Sequence, residues 1–148
     1  MRLQGLIRPA GYFRVKERRL RSLCEWLRLR CGKRCDLKRL DPAPTPELRR
    51  ELLGVHGVGP ETADSILLYA LGRKVFVIDA YTRRVLSRHG MSSAREKYES
   101  LRARFERAIG AANRLSRLNE LHEQIVELAK RHCRPKPRCD GCPLADWP

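Results

Sequence analysis

At 148 residues the chain is long enough for one globular domain, or one domain with a small appendage, and too short for several. Its 32 Lys and Arg against 17 Asp and Glu leave a formal charge of +15, which points to a polyanionic partner, most simply nucleic acid; a solvated basic surface gives the same count. No apolar run has signal-peptide or bilayer-spanning length, so a cytoplasmic protein without a membrane partner is expected, and its six cysteines read as metal ligands or free thiols rather than disulfides.

The first nine residues are short and basic. Phe13, Leu20, Leu23, Cys24 and Leu27 then recur at helical spacing, which predicts an amphipathic helix over about Phe13–Leu29, stopped by Gly32. Arg14, Lys16, Arg18, Arg19, Arg21 and Arg28 lie on its other face, and most of them read as an ordinary solvated surface. Cys24, Cys31 and Cys35 fall in or just after this helix; CGKRC has the spacing of a metal half-site, but no further ligand lies nearby, so buried or free thiols are the better reading. Asp41 to Pro46 is a proline-stiffened linker, and Thr45 can cap a helix that starts at Pro46 and buries Leu48, Leu52 and Leu53.

Val55-His56-Gly57-Val58-Gly59 reads as a tight hairpin, because two glycines two apart permit positive φ and a close backbone approach to a bulky group. Pro60 suits a first helical position, and Thr62, Ala63, Ile66, Leu67, Ala70 and Leu71 continue at helical spacing. A glycine turn entering a helix offers free N–H groups to a phosphate, although a plain αα-hairpin is the blander reading. Val75 to Ile78 has the β-branched content of a strand but no second run to pair with, so a buried extended link in an all-α protein is predicted.

Asp79 closes that link and can cap a helix over Ala80–His89 that Gly90 ends. Ser92 or Ser93 can cap the next helix, about Ala94–Ile109, and the last long helix is predicted over Arg114–Arg131. His122 sits among the apolar positions of that last helix and reads as structural. Cys133, Cys139 and Cys142, dense and flanked by basic residues and prolines, make a metal-loop pattern.

The stretch GVHGVGPETADSILLYA resembles the helix-hairpin-helix motif of the endonuclease III superfamily of DNA glycosylases, and VIDAYTRRVLSRHG resembles the segment that carries the family's catalytic aspartate. The likeness continues into the cysteine tail and so covers most of the chain. It implies an all-α, glycosylase-type helical domain over residues 1–131, with the motif at about 46–71, followed by a cysteine loop at 132–148. It also implies a DNA glycosylase of base excision repair, nucleoid-associated and working as a monomer on double-stranded DNA. His56, Gly57, Val58, Gly59 and Thr62 would grip a phosphate, with Arg83 and Arg84 adding charge.

Asp79 matches the family aspartate, whose carboxylate stabilises the oxocarbenium-like sugar and orients or deprotonates a water; from spacing alone, a helix N-cap explains it equally well. Bifunctional members carry a Schiff-base lysine where this chain has Glu61, so a monofunctional glycosylase is expected. Glu61 is then either a pocket residue or a carboxylate that stabilises its helix start. The motif looks most like the branch acting on alkylated purines such as 3-methyladenine.

The resemblance also has gaps. The family holds a 4Fe–4S cluster on four cysteines; Cys133, Cys139 and Cys142 match, the first gap is one residue short, and no fourth cysteine follows. A cluster on three thiolates, zinc, or no metal are the alternatives. Family members also carry several helices, with a glutamine-bearing stretch, ahead of the point where this match begins. The chain therefore looks shortened at both ends, and a non-catalytic DNA-binding remnant is the alternative to an enzyme.

Overall fold

The computed structural model describes residues 3–93, 95–110 and 114–147. Among these residues it is helical and without strands, as an all-α reading requires. No helix among them is long and apolar enough to cross a membrane. The chain divides into two compact units, Met1–Leu67 and Leu68–Pro148, and the division falls within the second motif helix.

The first unit holds α1 (Leu3–Ile7), a 3-10 turn at Arg8–Ala10, α2 (Phe13–Cys31), a second 3-10 turn at Leu37–Leu40, α3 (Thr45–Gly54) and α4 (Pro60–Ser65). α2 runs two residues past the predicted end before Gly32 stops it, with the Gly32 N–H on the Arg28 carbonyl at 3.1 Å. Its apolar face is only partly covered: Leu20 is 41 % and Leu29 is 69 % exposed. Thr45 does not cap α3. Pro44 occupies that place, and its carbonyl accepts the N–H groups of Glu47 and Leu48. An N-cap residue needs its carbonyl and not its own N–H, so proline fits there. Leu48 and Leu52 are buried, one turn apart, whereas Leu53 lies on the next helical row and is exposed.

The second unit begins in a π-helical turn, Ile66–Ala70, followed by the link 71–79, α5 (Ala80–Arg88), α6 (Tyr98–Ile109), α7 (Leu115–Arg131) and the cysteine tail. Val75, Phe76, Val77 and Ile78 are all buried, yet they form no ladder. Side chains and local backbone replace one. The Val75 N–H donates to Arg73 O at 2.9 Å, Phe76 N–H to Glu106 Oε1 at 2.9 Å, and Ile78 N–H to the Tyr98 hydroxyl at 3.4 Å. Three of the four N–H groups of this buried extended segment are thus satisfied without a partner strand.

α6 starts at Tyr98, four residues after the predicted start at Ala94, which lies outside the described residues. Neither Ser92 nor Ser93 caps it; Lys97 stands at the N-cap without a side-chain bond. The preceding loop is tied down instead, by Arg83 Nη1 on Glu96 O at 2.8 Å and by Arg104 on the Glu96 carboxylate at 2.8 Å. α5 packs on α7 through Val85, Ala129 and Cys133, flanked by Tyr81, Ile125, Leu128 and Leu144.

Candidate active site and nucleic-acid interface

The hairpin lies in the first unit. Gly57 has φ +85°, a left-handed conformation that favours glycine, and an added Cβ there would meet Arg19 Cδ at 2.6 Å. Gly59 is extended, and an added Cβ would meet nothing within 4 Å. Val58 N–H donates to Val55 O and Ala63 N–H to Gly59 O, closing the turn. Among the described residues, the Gly57 and Gly59 N–H groups donate to no backbone carbonyl. His56, Gly57, Gly59, Glu61 and Thr62 are exposed, while Val58 is buried as the anchor. A shallow hollow of about 270 Å³ runs beside the turn, lined by Lys16 and Arg19 of α2 together with Gly57, Val58 and Thr62. Two cations from the helix face read as mere solvated surface thus flank the hairpin turn. Only the fold could single them out from the other four basic residues of that face.

Asp79 lies in the second unit at the N-cap of α5, where its Oδ1 accepts the Thr82 N–H at 2.7 Å. Its side chain is 14 % exposed. The cap fixes one oxygen and leaves Oδ2 to face Nε2 of His122 at 3.7 Å. His122 is buried on α7, on the same stripe as Leu118 and Ala129. Its Nδ1 meets the Tyr69 hydroxyl at 2.5 Å, and its ring stands edge-on to Phe76, which stacks on Phe105 at 4.3 Å. Burial pushes the imidazole below the usual histidine range, partly offset by the Asp79 charge. Burial also raises the Tyr69 hydroxyl, with Asp79 and Glu123 adding to it.

A core position on α7 therefore carries a polar side chain aimed at Asp79. Sequence pattern placed His122 in the core correctly but held no signal for what it faces. Tyr69 was equally hidden, because the π-turn sets its register and strict helical spacing would not.

Arg83 uses Nη1 on Glu96 O. Arg84 donates to the carbonyls of Cys133 at 2.5 Å and Ala129 at 3.4 Å, and its guanidinium lies 5.2 Å from the Tyr81 ring centroid. Arg88 adds bonds to Arg134 O at 2.6 Å and Pro135 O at 2.9 Å, so α5 pins the tail with two arginines. Cys133, Cys139 and Cys142 line one cavity of about 370 Å³ with His89 and His132. Yet among the described residues no three His, Cys, Asp or Glu side chains converge closely enough to hold an ion. The tail as arranged is three free thiols around a hollow.

Comparison with known proteins bears on these geometries. A model of the HhH-GPD superfamily of base excision DNA repair proteins matches residues 1–111, which include the hairpin and Asp79. The chain belongs to the HhH-GPD superfamily.

A protein of Methanocaldococcus jannaschii named as a DNA repair glycosylase is 42 % identical over 146 residues, which are 99 % of this chain and 65 % of the relative. Endonuclease III of Sulfolobus acidocaldarius is 29 % identical over 142 residues, 95 % of this chain and 59 % of the relative. Endonuclease III of Thermotoga maritima is 26 % identical, again over 95 % of this chain and 59 % of the relative. The chain thus spans less than two thirds of each of these HhH-GPD relatives. His122 and the three tail cysteines lie beyond residue 111 but within the stretch shared with the Methanocaldococcus jannaschii protein.

Proposed function

We propose that this chain is a monofunctional DNA glycosylase that hydrolyses the N-glycosidic bond of an alkylated purine in duplex DNA, with Asp79 as its catalytic carboxylate. The observation that supports this most is the Asp79 geometry, one oxygen held by the Thr82 N–H and the other left toward a buried histidine. Such a carboxylate is oriented and desolvated on one side. It can stabilise a developing oxocarbenium charge at C1′ and orient the attacking water.

The hairpin of the first unit supplies a sequence-blind grip. Gly57 and Gly59 offer N–H groups to a phosphate, and Lys16 and Arg19 beside them supply positive charge. Arg83 and Arg84, each with part of its guanidinium engaged, add further charge around α5. The reaction needs a nucleotide rotated out of the duplex, and the grip holds the strand while that happens. Glu61 has no amine to attack C1′, so the product is an intact abasic site and not a cleaved strand. A monomer on duplex DNA is the working state, which light scattering after gel filtration tests.

The deciding experiment incubates the protein with methylated duplex DNA and quantifies free methylpurine beside Asp79→Asn. Asparagine caps a helix as well as aspartate, so the variant keeps its fold and loses only the charge. Release by the wild type and none by the variant is expected, with no covalent complex trapped by borohydride. No release from either, with salt-sensitive DNA binding intact in both, would leave a DNA-binding protein without chemistry.

A further inference from the structure

His122 is buried, with 7 % of the residue exposed, and among the described residues its Nε2 has no hydrogen-bond partner. That nitrogen points at the one Asp79 oxygen the helix cap leaves over. On the opposite side, Nδ1 meets the hydroxyl of Tyr69, whose residue is 52 % exposed. Phe76, fully buried and stacked on Phe105, holds the ring plane. The ionisable groups facing the imidazole are Asp79 at the start of α5 and Tyr69 in the π-turn. Glu123, its neighbour on α7, acts on Tyr69, and Glu106 of α6 is engaged by Phe76 N–H and Arg102.

We propose that His122 and Tyr69 are positioning residues for Asp79, joined to it in one hydrogen-bond chain: Tyr69 O–H to His122 Nδ1, and His122 Nε2–H to Asp79 Oδ2. This rests on the assignment of Asp79 as the catalytic carboxylate.

The tautomer follows from the partners. An ionised carboxylate only accepts, so the nitrogen that faces it carries the proton. In a neutral imidazole the other nitrogen is then an acceptor, and the tyrosine hydroxyl, which can do either, donates to it. The 3.7 Å separation is longer than a hydrogen bond, and closure by roughly half an ångström completes the bond. Active-site bonds of this kind tighten when substrate is bound. With both carboxylate oxygens held, Asp79 is fixed in direction when the sugar charge develops. The chain ends at a half-exposed tyrosine, so the buried histidine communicates with solvent through a single hydroxyl.

The test has one arm that needs no activity. Nitrogen-15 NMR of the histidine side chains, on wild type, Asp79→Asn and Tyr69→Phe, reads which His122 nitrogen carries the proton and at what pH the ring titrates. The expected result is the Nε2–H form in the wild type, and a titration that moves to lower pH in Asp79→Asn, where the stabilising charge is gone. An Nδ1–H form, or a titration that Asp79→Asn leaves in place, would overturn the chain. The second arm measures single-turnover methylpurine release. His122→Leu is expected to slow it about tenfold or more. His122→Gln, which offers an amide N–H to the same oxygen, is expected to restore most of that loss. Tyr69→Phe removes only the hydroxyl of a residue that is 52 % exposed, so it leaves the core packing in place even if His122→Leu does not fold; it is expected to shift the acid limb of the pH profile. A protein that releases no base yet shows the coupled Nε2–H form keeps the chain and removes the glycosylase reading. A protein that releases base with the Nδ1–H form removes the chain alone.

Discussion

The carboxylate of Asp64 is completely buried and receives both Arg49 Nε at 2.6 Å and Arg49 Nη2 at 3.1 Å. This two-bond fork joins α3 to α4, the two helices that hold the hairpin between them. Removing one partner breaks both bonds of this fork in the interior. Asp64→Ala is therefore expected to cost about 3–5 kcal/mol, read by urea denaturation of the helical signal. Replacing both by apolar residues of similar volume, Arg49→Met with Asp64→Leu, is expected to recover most of that. A single-variant loss below about 1 kcal/mol would mean that water or a relaxed side chain replaces the fork.

The two hairpin glycines make opposite predictions. Gly57→Ala puts a Cβ at positive φ against the Arg19 side chain, and is expected to lower stability by roughly 1–2 kcal/mol as well as weaken DNA binding. Gly59→Ala has ordinary extended φ and empty space around its Cβ, so its thermal midpoint should match the wild type. If a phosphate approaches the turn there, the methyl group occupies that approach, and duplex affinity at fixed salt should fall about tenfold. Equal affinity for Gly59→Ala and wild type would move the phosphate away from Gly59.

The elements that local chemistry dictates were legible in the residues. α2, α5 and α7, the hairpin and the buried link all stand within a few residues of their predicted places, because glycine, proline and apolar periodicity set them. The start of α6 was not, because Arg83 and Arg104, distant in sequence, hold the Glu96 loop out of the helix. The capping bond of Asp79 was legible, since Thr82 lies three residues on. The histidine facing it was not, since it arrives from 43 residues away on a stripe that looks purely apolar, and packing alone decides which core position meets the carboxylate.

The cysteines sort by exposure. Cys24, Cys35 and Cys139 are exposed, whereas Cys31 is buried and its thiol is raised, by desolvation first and by Cys35 second. Thiolate is the reactive form, so both burial and the raised pKa slow Cys31. In metal-free native protein, a disulfide reagent at neutral pH is expected to titrate Cys24, Cys35 and Cys139 in a fast phase and Cys31 only on unfolding. Mass mapping of the modified residues checks this. Rapid labelling of Cys31 would mean that the end of α2 opens readily. Protection of Cys139 after anaerobic treatment with iron and sulfide would mean that the tail rearranges to take a cluster.

The buried His122 makes stability depend on pH. Desolvation lowers its folded-state pKa, against which Asp79 pulls upward, while in the unfolded chain the ring titrates near the ordinary value of about 6.5. Between those two values the unfolded chain binds a proton that the folded protein does not, so stability rises with pH there. The contribution is complete above about pH 6.5 and is lost as the pH falls from there toward the folded-state value. His122→Gln, which carries no proton to titrate, is expected to flatten the stability curve of the second unit in that range. Asp79→Asn removes the opposing charge, so its loss of stability should continue to lower pH than in the wild type. Denaturation midpoints of the three proteins between pH 7.5 and 5 decide the matter. Parallel curves for all three would mean that the imidazole titrates alike in the folded and unfolded chains.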